Sequence, residues 1–191
     1  GEVVVRVRGR AAIVGGSISS STFGIGDAGT VTVEAGDLVI LEGDTPFAAG
    51  IFSNSNAGAT GDAGEVTVTV RDLLALRAGG EITSNTVGSG DAGRVDVEAG
   101  RLTIDKEGAP GFTGIASQAS ASATGSAGAV TLTVRGPIEV RDGRIQSANL
   151  GSGIAGSVVI LAGRLLLDES AIRSNSVADT GGQILIRTLT R

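Results

Sequence analysis

Cysteine, histidine, methionine, tryptophan and tyrosine are all missing from this 191-residue chain, which has only three prolines and four phenylalanines. Without cysteine there are no disulfides and no thiol chemistry, and the chain suits either redox compartment. Without histidine, a serine nucleophile lacks its usual base. The scarcity of aromatic rings argues against an ordinary globular core, which uses them as filler. A narrow core lined by branched aliphatics does not need them. No apolar run approaches the length of a bilayer crossing, so membrane insertion is not expected. The net charge of −5, with signs alternating and no basic stripe, argues against nucleic acid as a partner. No signal peptide is seen, and the chain starts at Gly1 in mid-pattern. The expectation is a single segment, residues 1–191, excised from a longer repetitive protein.

What is abundant is glycine, 32 residues without a Gly-X-Y period, which points to frequent tight turns. The stretch Gly26-Asp27-Ala28-Gly29-Thr30-Val31-Thr32-Val33 returns as Gly61-Asp62-Ala63-Gly64-Glu65-Val66-Thr67-Val68 and as Gly90-Asp91-Ala92-Gly93-Arg94-Val95-Asp96-Val97. Weaker copies open at Gly125 and Gly153. Taking Gly1, Gly29, Gly64, Gly93, Gly128, Gly156 and Gly182 as register marks, the spacings are 28, 35, 29, 35, 28 and 26 residues. Short and long copies alternate, so a double unit of 63 or 64 residues lies over the single one. Self-similarity at this period signals a solenoid.

Each unit holds three segments of period two. The first is Val31-x-Val33-x-Ala35, the second Leu38-x-Ile40 and the third Ile51-x-Ser53, and each recurs along the chain. Alternation with β-branched residues means strand with one buried face, and no segment sustains a helical period. The predicted fold is therefore all-β, a parallel β-helix of about six coils with three short strands per coil. Equivalent strands would stack at about 4.8 Å into a rod section of roughly 30 Å. A propeller blade needs four strands and more residues, and a leucine-rich repeat would show its own signature.

The extra residues of the long units are expected between the second and third segments, in the loops 43–50 and 108–114. Both carry a Pro and a Phe, Pro46 with Phe47 and Pro110 with Phe112, two coils apart on one edge. Insertions on one face are where such arrays often bind, which makes these four residues the candidate binding loops. The plainer reading is that each Phe packs over its own turn.

A polar column, Ser20, Ser53, Ser84, Ser117, Ser147 and Ser174, shares parity with the inward isoleucines. A second column two residues on holds Thr22, Ser55, Thr86, Ala119, Asn149 and Ser176. Stacked hydroxyls able to satisfy one another suit a structural ladder at a tight corner. No catalytic residue, cofactor or resident metal is expected. The pattern Gly24-x-Gly26-x-x-Gly29 and its copies match a dinucleotide fingerprint only as text, because a strand follows instead of a helix. Asp27, Asp62 and Asp91 recur at one turn position; calcium could relieve their repulsion, but an Asx-turn within each corner is the simpler role. Glu139, Arg141, Asp142 and Arg144 form the densest charged patch, without a carboxylate pair placed for acid–base work.

The order Gly-Asp-Ala-Gly-x-Val-x-Val-x-Ala-Gly-x-Leu-x-Ile, then Gly-x-Ile-x-Ser-x-Ser/Thr, resembles the repetitive regions of filamentous-haemagglutinin-like exoproteins over nearly the whole chain. That resemblance implies a right-handed β-helix, export through the outer-membrane transporter of two-partner secretion, and an adhesive role at the outer surface of a Gram-negative bacterium. The partner it implies beyond the transporter is a surface receptor or glycan. Alternatives are a polysaccharide-binding or -degrading β-helix and a purely structural spacer.

Overall fold

The computed structural model describes residues 1–44, 48–178 and 180–189. Seven strands form one sheet: β1 (Glu2–Val14), β3 (Thr30–Leu41), β5 (Val66–Arg77), β7 (Val95–Asp105), β9 (Val130–Arg141), β11 (Val158–Asp168) and β13 (Ile184–Thr188). The second sheet holds β2 (Ser17–Ser19), β4 (Ala49–Phe52), β6 (Gly80–Thr83), β8 (Gly114–Ala119), β10 (Arg144–Asn149) and β12 (Ala171–Ser176). In each sheet the strands follow one another in chain order and every pair is parallel. The chain therefore winds as a β-solenoid of about six coils, with no helix among the described residues.

All three inward-facing segments are present, but the first two belong to one long strand creased in the middle. Pairing breaks register at the crease, between Ala35 and Leu38 against β5 and between Val70 and Leu73 against β7. The cause is a one-residue difference: Ala35 precedes Leu38 by three positions, whereas Val70 precedes Leu74 by four. An extra residue on alternate coils is a bulge, which bends the strand without ending it. The glycine-led corner read as a turn is thus a fold within a continuous ladder.

The crease also explains the double period. Arg71 donates to the main-chain carbonyl of Arg8, and Arg135 Nη2 to that of Arg71 at 2.7 Å, each spanning the coil between. The intervening coils carry Gly36 and Gly100 there, and a Cβ on Gly36 would lie 2.9 Å from the Arg71 guanidinium. Short coils supply the arginine, long coils the glycine gap it crosses.

Length differences sit at three places, not only between the second and third segments. Ile40 precedes Ile51 by eleven positions, against five from Ile13 to Ile18. Ser55 precedes Gly61 by six, against four from Thr22 to Gly26, and the crease is one residue shorter in these coils. The solenoid tolerates this because the added residues enter loops between the stacked strands, even though the 56–60 loop still bonds the neighbouring coil at Thr22 and Gly24.

Inside runs a single aliphatic core. Val31, Val66, Val95, Val130 and Val158 stack from one long strand to the next, and Leu38, Leu74, Leu102 and Ile138 do so beyond the crease. Ile51, Ile82, Ile115 and Ile145 close the cavity from the second sheet. No described phenylalanine lies among them: Phe23 is 77 % exposed, while Phe52 and Phe112 are half-buried on the outside.

Candidate functional site

The serine column sits inside the corner that follows the second sheet. Ser53, Ser84, Ser117 and Ser147 are fully buried. Their hydroxyls do not bond one another; they bond the glycines that close successive corners. Ser53 Oγ donates to the Gly29 carbonyl at 2.6 Å and accepts from the Gly64 N–H at 3.1 Å. Ser84 treats Gly64 and Gly93 in the same way, Ser117 Gly93 and Gly128, and Ser147 Gly128 and Gly156. Ser174 donates to Gly156, and Ser20 lies beside Gly29. A Cβ on Gly64 would stand 2.1 Å from the Gly29 oxygen, so the corner closes only around glycine. Backbone groups turned inward at the corner are nearer to each hydroxyl than the next serine is, which is why the ladder runs through main chain.

The second column serves the first glycine of each corner. Ser55 Oγ donates to the Gly61 carbonyl at 2.6 Å, and Thr86 Oγ1 to that of Gly90 at 2.8 Å. The aspartates do not close their own turns. Asp27 Oδ1 accepts from the Asp62 N–H at 2.9 Å, Asp62 from Asp91 at 2.8 Å, and Asp91 from Ser126 at 2.7 Å. Corners stacked in register bring the next coil's N–H to the carboxylate. Among the described residues, no three acidic or other metal-ligating side chains gather to hold an ion. A strand follows each glycine triplet.

The charged patch read at 139–144 is divided by the fold. Arg141 faces Asp105 at 3.8 Å and Asp142 faces Lys106 at 3.6 Å, alternating charges of neighbouring coils. Arg144 instead begins β10 on the other sheet.

Unlike chemistries converge on the outer face of that second sheet. In the outward column next to the inward isoleucines, Gly50, Glu81, Gly114 and Arg144 succeed one another. A second outward column holds Phe52, Thr83, Ala116 and Gln146, and a third holds Asn54, Asn85 and Gln118. The small residues Gly114 and Ala116 leave a groove of about 200 Å3 lined by Glu81, Thr83, Asn85, Phe112, Gln118, Arg144 and Gln146. Phe112 forms one wall from the loop entering β8, while Pro110 is exposed on that loop. Of the predicted binding-loop residues, Pro46 and Phe47 lie outside the described residues.

Amides line the opposite wall and are anchored. Asn54 Oδ1 accepts from the Asn85 N–H at 2.8 Å, and Asn85 Oδ1 from the Gln118 N–H at 2.9 Å. Gln146 Nε2 donates to Gln118 Oε1 at 2.6 Å. At one end, burial and then the nearby Glu42 push the Glu81 carboxyl up to about 7. Among the described residues, neither Glu81 nor Arg144 has a hydrogen-bonding or ionic side-chain partner. Sequence reasoning missed Glu81, Gln118 and Gln146 and grouped Arg144 with the wrong neighbours. The available signal was parity: Glu81 and Arg144 immediately precede inward isoleucines in a column otherwise filled by small residues.

No protein-family model matches the chain, and comparisons with curated proteins and with solved structures return no match.

Proposed function

We propose that this chain is a section of an extracellular adhesin-type rod, belonging to a secreted surface exoprotein, that extends from the cell and presents a binding face. One observation supports the binding face above all. Coils that are otherwise alike open a groove on the outer face of the second sheet, lined by Phe112 together with the ionisable side chains of Glu81 and Arg144, which have no partners among the described residues. Unpaired polar groups beside a half-buried aromatic wall are what a rod used only as a spacer has no reason to hold. On this reading the exoprotein leaves a Gram-negative cell through an outer-membrane transporter of two-partner secretion and acts at the outer surface. A chain free of cysteine, whose coils stack one on another, suits such export: it can pass extended and fold coil upon coil.

Beads coated with the purified chain should adhere to bacterial or animal cells above blank beads, and Phe112→Ala should return adherence to background without altering the melting temperature. Coated beads that never adhere, or adherence indifferent to Phe112→Ala, would favour the spacer.

A further inference from the structure

We infer that the groove on the outer face of the second sheet binds an acidic saccharide, its carboxylate on Arg144 and its hydroxyls on the Gln118–Gln146 amide pair. This rests on the reading of that face as a binding surface and adds the class of ligand.

Charge carries the first part. Arg6, Arg77, Arg94, Lys106 and Arg141 each have a carboxylate at salt-bridge distance. Arg144 on β10 and Arg173 on β12 occupy adjacent coils of the second sheet's outer face, and among the described residues neither has one; the other described arginines without a carboxylate, Arg8, Arg10, Arg71, Arg101, Arg135, Arg164 and Arg187, belong to the first sheet. In a chain of net charge −5, two unpaired guanidiniums on one face select an anion. The acid within the groove is Glu81. The charged groups around it are Glu42, just after β3, and Arg144 beyond Gly114; β4 and β8 present only Gly50 and Gly114 on either side. With its carboxyl pushed up to about 7, Glu81 takes a proton near neutrality and then stops opposing an incoming carboxylate.

The neutral groups point to sugar. The Gln146–Gln118 bond leaves the Gln118 NH2 and the Gln146 carbonyl without partners among the described residues, a donor and an acceptor side by side. Neither belongs to the buried unsatisfied atoms, so both reach solvent, and both residues line the groove. Phe112 offers an apolar wall to the C–H face of a ring. Glu81 and Arg144 both neighbour Gly114, placing them two coils apart, roughly 10 Å by ordinary strand spacing. With a volume of about 200 Å3, the groove has room for one ring and part of the next. An acidic peptide could not add as a strand, because the backbone of this face is already paired within the sheet. A duplex nucleic acid needs several phosphate contacts, and two arginines provide too few.

Isothermal titration of the chain with trigalacturonate, and with maltotriose as the neutral counterpart, tests this at pH 6 and pH 8. Trigalacturonate should bind at least tenfold tighter than maltotriose, and tighter at pH 6. Arg144→Gln should weaken it at least tenfold, with an unchanged melting curve as the control for folding. Glu81→Gln should tighten it at pH 8 and flatten the pH dependence. Equal binding of the two sugars, no heat with millimolar trigalacturonate, an indifferent Arg144→Gln, or preferential binding of an acidic peptide or DNA would each overturn the inference. Bead adherence measured on the same preparations separates the two claims. Adherence that needs Phe112 but ignores acidic sugar leaves the adhesin reading standing and removes the saccharide.

Discussion

Asn149 makes, for the corner of the coil beneath it, the hydrogen bond that Ala119 cannot. Thr22, Ser55 and Thr86 of this column each donate to the first glycine of their own corner, while Ser176 reaches back to Gly153 as Asn149 reaches back to Gly125. Ala119 has no donor, and Asn149 Nδ2, one coil on, reaches the Gly125 carbonyl at 2.9 Å as well as the Ile154 carbonyl at 3.2 Å. Both side chains are fully buried. Asn149→Ala should therefore cost about 1–3 kcal/mol, the penalty of a buried carbonyl left without a partner. Adding Ala119→Ser should restore part of it. Urea unfolding of the two single variants and the double one checks this, and strict additivity would contradict it.

Ser84 offers a second test in the same kind of corner. Its hydroxyl donates to Gly64 and accepts from Gly93 at zero exposure. Ser84→Ala should lose about 1–3 kcal/mol through those backbone groups. Ser84→Leu should lose more, because the space is bounded by main chain that cannot retreat. A melting temperature unchanged in either variant would show that the corner closes without the hydroxyl.

The Glu81 carboxyl has a folded-state value of about 7 against an ordinary 4.5. The folded chain therefore holds this proton more tightly than the unfolded chain does. Its stabilising contribution is complete below pH 4.5 and is lost as pH rises through about 7. At about 1.4 kcal/mol per pH unit the loss reaches at most about 3 kcal/mol. Glu81→Gln removes the dependence, so its stability relative to the parent should climb between pH 4.5 and 8. Parallel curves for the two proteins in urea would refute the assignment.

Among the described residues, four that are not glycine hold left-handed backbone at the turns following the long strands: Ala78 (φ 38°), Glu107 (51°), Asp142 (48°) and Glu169 (50°). A Cβ disfavours that conformation by about 1–2 kcal/mol. Ala78→Gly should raise the melting temperature, the net gain being near 0.5–1 kcal/mol once the freer unfolded chain is counted. Differential scanning calorimetry reads the shift, and a decrease would mean that the methyl packs usefully.

Much of the architecture was legible because it repeats. The valine alternation, the inward isoleucines and the glycine corners each recur with one meaning, and stacking in register turns one correct reading into six. Where meaning depends on the neighbouring coil, linear reading fell short. The crease looked like a turn, because a bulge is defined by the partner strand's count and not by its own residues. The aspartates looked like closers of their own turns, because the N–H groups they accept from lie about 30 residues away in sequence. The groove was half legible. Phe112 stood out by composition, whereas Glu81 and Arg144, 63 positions apart, meet only through Gly114.

The arginine bridges over Gly36 and Gly100 impose an arithmetic on the rod. Each guanidinium must find a glycine beside it and a carbonyl beyond, so coils are interchangeable only with coils of like parity. Excising one coil would set arginine against arginine or glycine against glycine at the splice, whereas excising two would rejoin arginine to glycine in the original rhythm. A protein assembled this way grows, shrinks and recombines in steps of two coils, and its true building block is the pair of about 64 residues rather than the single turn.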